Sequence, residues 1–116
     1  MIKNVISSFD RIIKEVVKKK MSQQASEKVK STFIVINEKG LHTRPSTELV
    51  KCAASFRSQI TLIYQNVTVN AKSLLGILML AAARGSKIKV EAEGEDAQEA
   101  VHSIIELAKN KFYIKY

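Results

Sequence analysis

The sequence predicts an α+β domain built as an open-faced two-layer sandwich. A four-stranded antiparallel sheet carries three helices on one face, with an amphipathic helical extension before it. Three observations predict this. From residue 31 onward, strand-like and helix-like segments follow in the order βα-ββ-α-βα. Lys87-Ile88-Lys89-Val90-Glu91-Ala92-Glu93 alternates strictly between apolar and charged residues, as a sheet with one wet face requires. The closing segment places Ala97, Ala100, Val101, Ile104, Ile105, Ala108 and Phe112 at three- and four-residue steps, which is the stripe of a helix covering that sheet.

Taken in order, residues 1–20 form a unit of their own. Ile2, Val5, Ile6, Phe9, Ile12, Ile13, Val16 and Val17 recur at helical spacing, with Lys3, Asp10, Arg11, Lys14 and Lys18 between them. No apolar run in this stretch is long enough to span a bilayer or to serve as the core of a secretory signal. Residues 21–30 read as a polar linker, and 31–116 as the domain. Four roles suit the extension: packing on its own domain, pairing with a partner helix, lying on an anionic membrane surface, or preceding a true start at Met21. The domain does not need it, so the expectation is a minor role or a start at Met21.

Thr32 to Ile36 reads as the first strand. Asn37-Glu38-Lys39-Gly40 turns the chain into the first domain helix, Thr47 to Phe56. Gln59 to Tyr64 and Val67 to Val69 read as a hairpin around Gln65-Asn66. A short helix is expected from Ser73 to about Ala83, ended by Gly85. Asp96 with Glu99 resembles a capping box at the start of the last helix.

The chain has 116 residues and a net charge of +8. The charge is uneven, with 8 Lys+Arg against 3 Asp+Glu in residues 1–30, and 11 against 8 in the remainder. Strong basicity therefore belongs mainly to the extension. The mildly basic domain suits acidic protein partners. Aromatic residues are too few for base-stacking platforms, and there is no Gly-x-x-Gly loop, so nucleic acid is not expected as a ligand. The single Cys52 excludes an intramolecular disulfide and fits a reducing cytoplasm, where it reads as a small buried helix residue. His102 reads as a surface residue. Nothing pairs it with His42, so no metal site is expected.

The stretch that points to chemistry is Gly40-Leu41-His42-Thr43-Arg44-Pro45. Gly40 can take the positive φ of a tight strand-to-helix turn. Pro45, the only proline, does no harm in a first helical turn, whose N–H groups have no intrahelical partner. The N–H groups of Thr43 and Arg44 then face outward at the positive end of the helix dipole, which makes an anion site. A neutral imidazole at His42 is a nucleophile. If it attacked a phosphoryl group, the product's charge would enter this cradle beside the Arg44 guanidinium.

This run resembles the active-site motif of the HPr family, the histidine phosphocarriers of the phosphoenolpyruvate-dependent sugar phosphotransferase system. Lys72-Ser73-Leu74-Leu75-Gly76 is similar to the family's second signature, and the likeness extends from about residue 31 to about 112. Gly76 to Ala83 also resembles NPr, the paralogue of a nitrogen-related relay. The resemblance implies a four-stranded, three-helix fold and phosphorylation of His42 at Nδ1. It implies Enzyme I as donor, Enzyme IIA domains as acceptors, a monomer in the cytoplasm, and no cofactor in the carrier. Arg44 would stabilise the phosphoryl group, with Gly40, Thr43 and Pro45 completing the cradle.

Ser73 matches the position that an HPr kinase phosphorylates in many Gram-positive members, and it also suits a helix N-cap. Leu74, Leu75, Leu78 and Met79, rimmed by Lys51 and Lys72, match the family's docking surface. Lys51 and Lys72 by themselves read as solvated lysines. Ser46 and Ala81 depart from the usual alanine and glycine, and the tail Tyr113 to Tyr116 has no counterpart. The alternative function is a regulatory module, in which phosphorylation of His42 or Ser73 gates docking on regulators without sugar transport.

Overall fold

The structure, a computed structural model, describes residues 28–116. The helix expected over 1–20 and most of the expected linker lie outside the described residues.

Four strands form one antiparallel sheet in the order β1-β4-β2-β3: β1 Lys28–Ile34, β2 Gln59–Tyr64, β3 Val67–Asn70 and β4 Lys87–Glu93. Among the described residues three α-helices accompany them: α1 Thr43–Ala54, α2 Leu74–Met79 and α3 Ala97–Lys109. The period-two pattern decides which face of the sheet is covered. Ile88, Val90 and Ala92 are buried, while Lys87 and Lys89 on the other face are exposed. Phe33, Ile60, Leu62, Leu49 and Ile104 join them in one core between sheet and helices.

Several boundaries differ from expectation for identifiable reasons. β1 begins at Lys28, so residues 28–30 are strand rather than linker. Each of these residues has a partner on β4, and Lys30 Nζ lies 3.8 Å from Glu91. A polar composition concealed them because their side chains occupy an edge strand with a wet face. β1 stops at Ile34, and Val35 then bonds to the loop before β4, through its N–H to Ser86 and its carbonyl to Gly85. α1 begins at Thr43, four residues earlier than the apolar stripe indicated.

Helix α2 ends at Met79, well short of Ala83. The carbonyl of Ala82 is required by the Leu41 N–H, at 2.9 Å, so the chain must turn before it. Ala81 makes that turn with φ 49°. The Gln65-Asn66 hairpin turn also takes positive φ at both residues, 49° and 65°, which matches the right-handed twist of paired strands.

Asp96 precedes α3, but its side chain makes no capping bond to that helix. The carboxylate instead accepts the Arg57 and Ser58 N–H groups, both at 2.9 Å, and the Ser58 hydroxyl. It therefore ties the start of α3 to the loop before β2. These three bonds hold the Asp96 carboxyl below its ordinary range, with the Ser58 hydroxyl contributing most and the Arg57 N–H next.

Phe112 was expected on the stripe of the last helix, but α3 ends at Lys109. Lys111, Phe112 and Tyr113 then turn with φ of 55°, 55° and 61°. Left-handed backbone costs non-glycine residues about 1–2 kcal/mol each. Burial of Phe112, worth about 1.5–3 kcal/mol, offsets part of that cost. Its ring meets Phe33 edge-on at 6.0 Å.

Among the described residues, no helix is long and apolar enough to cross a membrane.

Candidate functional site

The loop between β1 and α1 is shaped by Gly40. It sits at φ 72°, and a Cβ there would collide with the carbonyl oxygen of Ala82. That carbonyl accepts the N–H of Leu41, whose side chain is buried. The loop is therefore clamped to the segment after α2 just before it reaches His42. Ser46, which the sequence presents as a mild departure, is fully buried, and its hydroxyl donates to the Leu41 carbonyl at 3.1 Å. This second clamp holds the first turn of α1 against the loop.

His42 is the N-cap of α1, with extended backbone at φ −72° and ψ −178°, and its side chain makes no capping bond. The imidazole is exposed. The backbone N–H of His42 donates to the Gly40 carbonyl at 2.9 Å, and its backbone carbonyl accepts the Ser46 N–H at 3.0 Å. The first helical N–H groups, those of Thr43 and Arg44, have no intrahelical acceptor, and Pro45 has no N–H to leave unpaired. No acidic residue occupies this turn to compete with an incoming anion.

A shallow pocket of about 160 Å³ lies here, lined by Lys39, Gly40, His42, Thr43, Arg44, Pro45 and Tyr116. Lys39 and Tyr116 are the members that the sequence reading did not assign to the site. The Arg44 guanidinium donates to the Tyr116 hydroxyl at 3.0 Å, across 72 residues of sequence. Lys39 Nζ stands 4.9 Å from the centre of the Tyr116 ring. Asn37, fully buried, donates through Nδ2 to the main-chain oxygens of Lys111 and Tyr116, each at 3.0 Å. An asparagine at the end of a strand was the available signal, but its partners lie more than 70 residues away.

Ser73 is the N-cap of α2, and its hydroxyl accepts the Gly76 N–H at 3.0 Å. Of the apolar docking set, Leu75 and Met79 are 69% and 71% exposed, one helical turn apart. Leu74 and Leu78 are half-buried, and Ile77 supplies the core contact. Lys72, placed at the rim of that set, is half-buried. Its ammonium donates to the Phe56 carbonyl at 2.7 Å and secures the end of α1. Lys51 is exposed and pairs with Glu48 at 3.4 Å.

Cys52 is half-buried, and burial pushes its thiol above the ordinary range. His102 is exposed on α3. Among the described residues no cluster of three His, Cys, Asp or Glu could hold a metal ion.

A family model described as "PTS HPr component phosphorylation site" matches residues 29–110. The phosphocarrier protein HPr of Xylella fastidiosa strain 9a5c is 42% identical over 80 residues, covering 69% of this chain and 90% of that protein. The HPr of Cupriavidus necator is 41% identical over 78 residues, covering 67% and 88%. Among solved structures, HPr-C-His from Thermoanaerobacter tengcongensis superposes with a TM-score of 0.73 at 38% identity, covering 76% of this chain and 99% of that one.

Proposed function

The chain belongs to the PTS HPr family, and on that premise we propose that His42 carries a phosphoryl group between two proteins. The donor is a phosphoenolpyruvate-charged Enzyme I, and the acceptor is an Enzyme IIA-type domain. The observation that carries this reading is the position of His42. It is exposed at the N-terminus of α1; among the described residues its imidazole and the Thr43 and Arg44 N–H groups have no hydrogen-bond partner, and a guanidinium lines the same pocket.

The transfer needs little covalent help from the carrier. An imidazole nitrogen, Nδ1 by family resemblance, attacks phosphorus as the bond from phosphorus to the donor breaks. The transferred group is loose and metaphosphate-like, with its charge spread over three oxygens. The Thr43 and Arg44 N–H groups and the Arg44 side chain face that charge and accept it without reorganising. Exposure of His42 suits the task, because the imidazole must enter first one partner's active site and then another's. Leu75 and Met79 provide an apolar surface for such short-lived docking. The chain is then an intermediate that each transfer consumes and restores, not a catalyst.

Phosphorus NMR of the protein with phosphoenolpyruvate and Enzyme I tests this, with His42→Ala beside the parent. A phosphohistidine resonance confined to the parent is expected. A parent that acquires no such resonance from an active Enzyme I would refute the reading.

A further inference from the structure

We infer that Tyr116 is a positioning residue for phosphoryl transfer, holding the Arg44 guanidinium over the pocket that His42 lines. The inference rests on the carrier reading of His42 and goes beyond it, because it concerns a segment outside the family match, which ends at residue 110.

Arg44 is an exposed, long side chain in the first turn of α1. Left alone, its guanidinium would sample many rotamers, and freezing it at the moment of transfer would cost entropy. The structure removes much of that freedom beforehand. One of the five guanidinium N–H groups is spent on the Tyr116 hydroxyl. Among the described residues nothing else accepts from the other four, which leaves them for phosphoryl oxygens, and both residues border the same pocket as His42. A group that fixes the fork without consuming it is what preorganisation requires.

Tyr116 can do this only if it is itself fixed. Lys39 lies over its ring. Asn37, fully buried in the loop that follows β1, grips its main-chain oxygen and that of Lys111. Between those two anchor points the chain makes its left-handed turn, with Phe112 sunk in the core. An unfavourable backbone held by a buried amide and a buried ring therefore serves to return residue 116 to the His42 loop. The same arrangement brings Lys39, a second cation, to the pocket wall.

Uptake of label from radiolabelled phosphoenolpyruvate through Enzyme I, followed by rapid quench on the full chain, tests the role. Tyr116→Phe keeps the ring on Lys39 and the main-chain oxygen on Asn37, and it removes only the hydroxyl. The expected result is a transfer rate about three- to ten-fold lower with the KM of Enzyme I for the protein unchanged. In an Arg44→Ala background the same substitution should cause no further loss, because Tyr116 acts through Arg44. A Phe variant as fast as the parent, a change confined to KM, or an equal loss in the Arg44→Ala background would each overturn the inference while leaving His42 as the carrier. A parent that takes up no label overturns the carrier reading itself, and the role of Tyr116 with it.

Discussion

Gly40 and Ala82 meet backbone to backbone: the space a Cβ would need on Gly40 is filled by the Ala82 carbonyl oxygen, which accepts the N–H of the next residue, Leu41. The conformation of the His42 loop thus depends on the segment that follows α2. Gly40→Ala should force this contact apart and strain a positive φ, costing about 2–4 kcal/mol. Urea denaturation would register the loss, and phosphorylation of His42 should fall beyond what the unfolded fraction explains. Parent-like stability in this variant would mean that the clamp yields easily.

The companion position responds in the opposite sense. Ala81 pays for its left-handed backbone, φ 49°, with about 1–2 kcal/mol. Glycine removes that cost but gives back about 0.4–1 kcal/mol through the entropy of the unfolded chain. Ala81→Gly is therefore expected to stabilise by about 0.5–1 kcal/mol in the same denaturation experiment. A destabilised variant would contradict the account of how α2 ends.

Asp96 supplies a pH-dependent term. Its carboxyl is held below its ordinary range by the Ser58 hydroxyl and the Arg57 N–H, so the folded state binds its proton more weakly than the unfolded chain does. The stability it contributes is complete above the unfolded value, about 3.9, and is lost as pH falls through the lower folded value. Asp96→Asn should consequently be less stable than the parent at pH 7. The difference should shrink as pH is taken below about 4. Thermal unfolding at a series of pH values checks this, and a gap that does not change with pH would contradict it.

Substitutions at Leu75 and Met79 would test docking apart from folding. Both are largely exposed, so Leu75→Glu and Met79→Glu should change stability by less than about 0.5 kcal/mol. If they meet Enzyme I, each should raise its KM for this protein by about ten-fold. Unchanged kinetics in both variants would remove these side chains from the docking surface.

Local pattern determined much of this protein. The strict alternation of Lys87 to Glu93, the stripe of the last helix and the Gln65-Asn66 turn specify elements through contacts within a few residues, and such contacts are written in neighbouring sequence. The Gly40 to Pro45 run was legible for the same reason, since glycine freedom, proline tolerance and free helical N–H groups are properties of one turn. Tertiary structure decided the rest. Lys28 to Lys30 became strand because β4 lies beside them. α2 stopped early because Leu41 needs the Ala82 carbonyl, and Asp96 left its own helix for Ser58. Tyr116 joined the His42 pocket because Asn37, 79 residues earlier, holds its main-chain oxygen. In each case the deciding partner is far away in sequence, so no local preference of the residue could announce it.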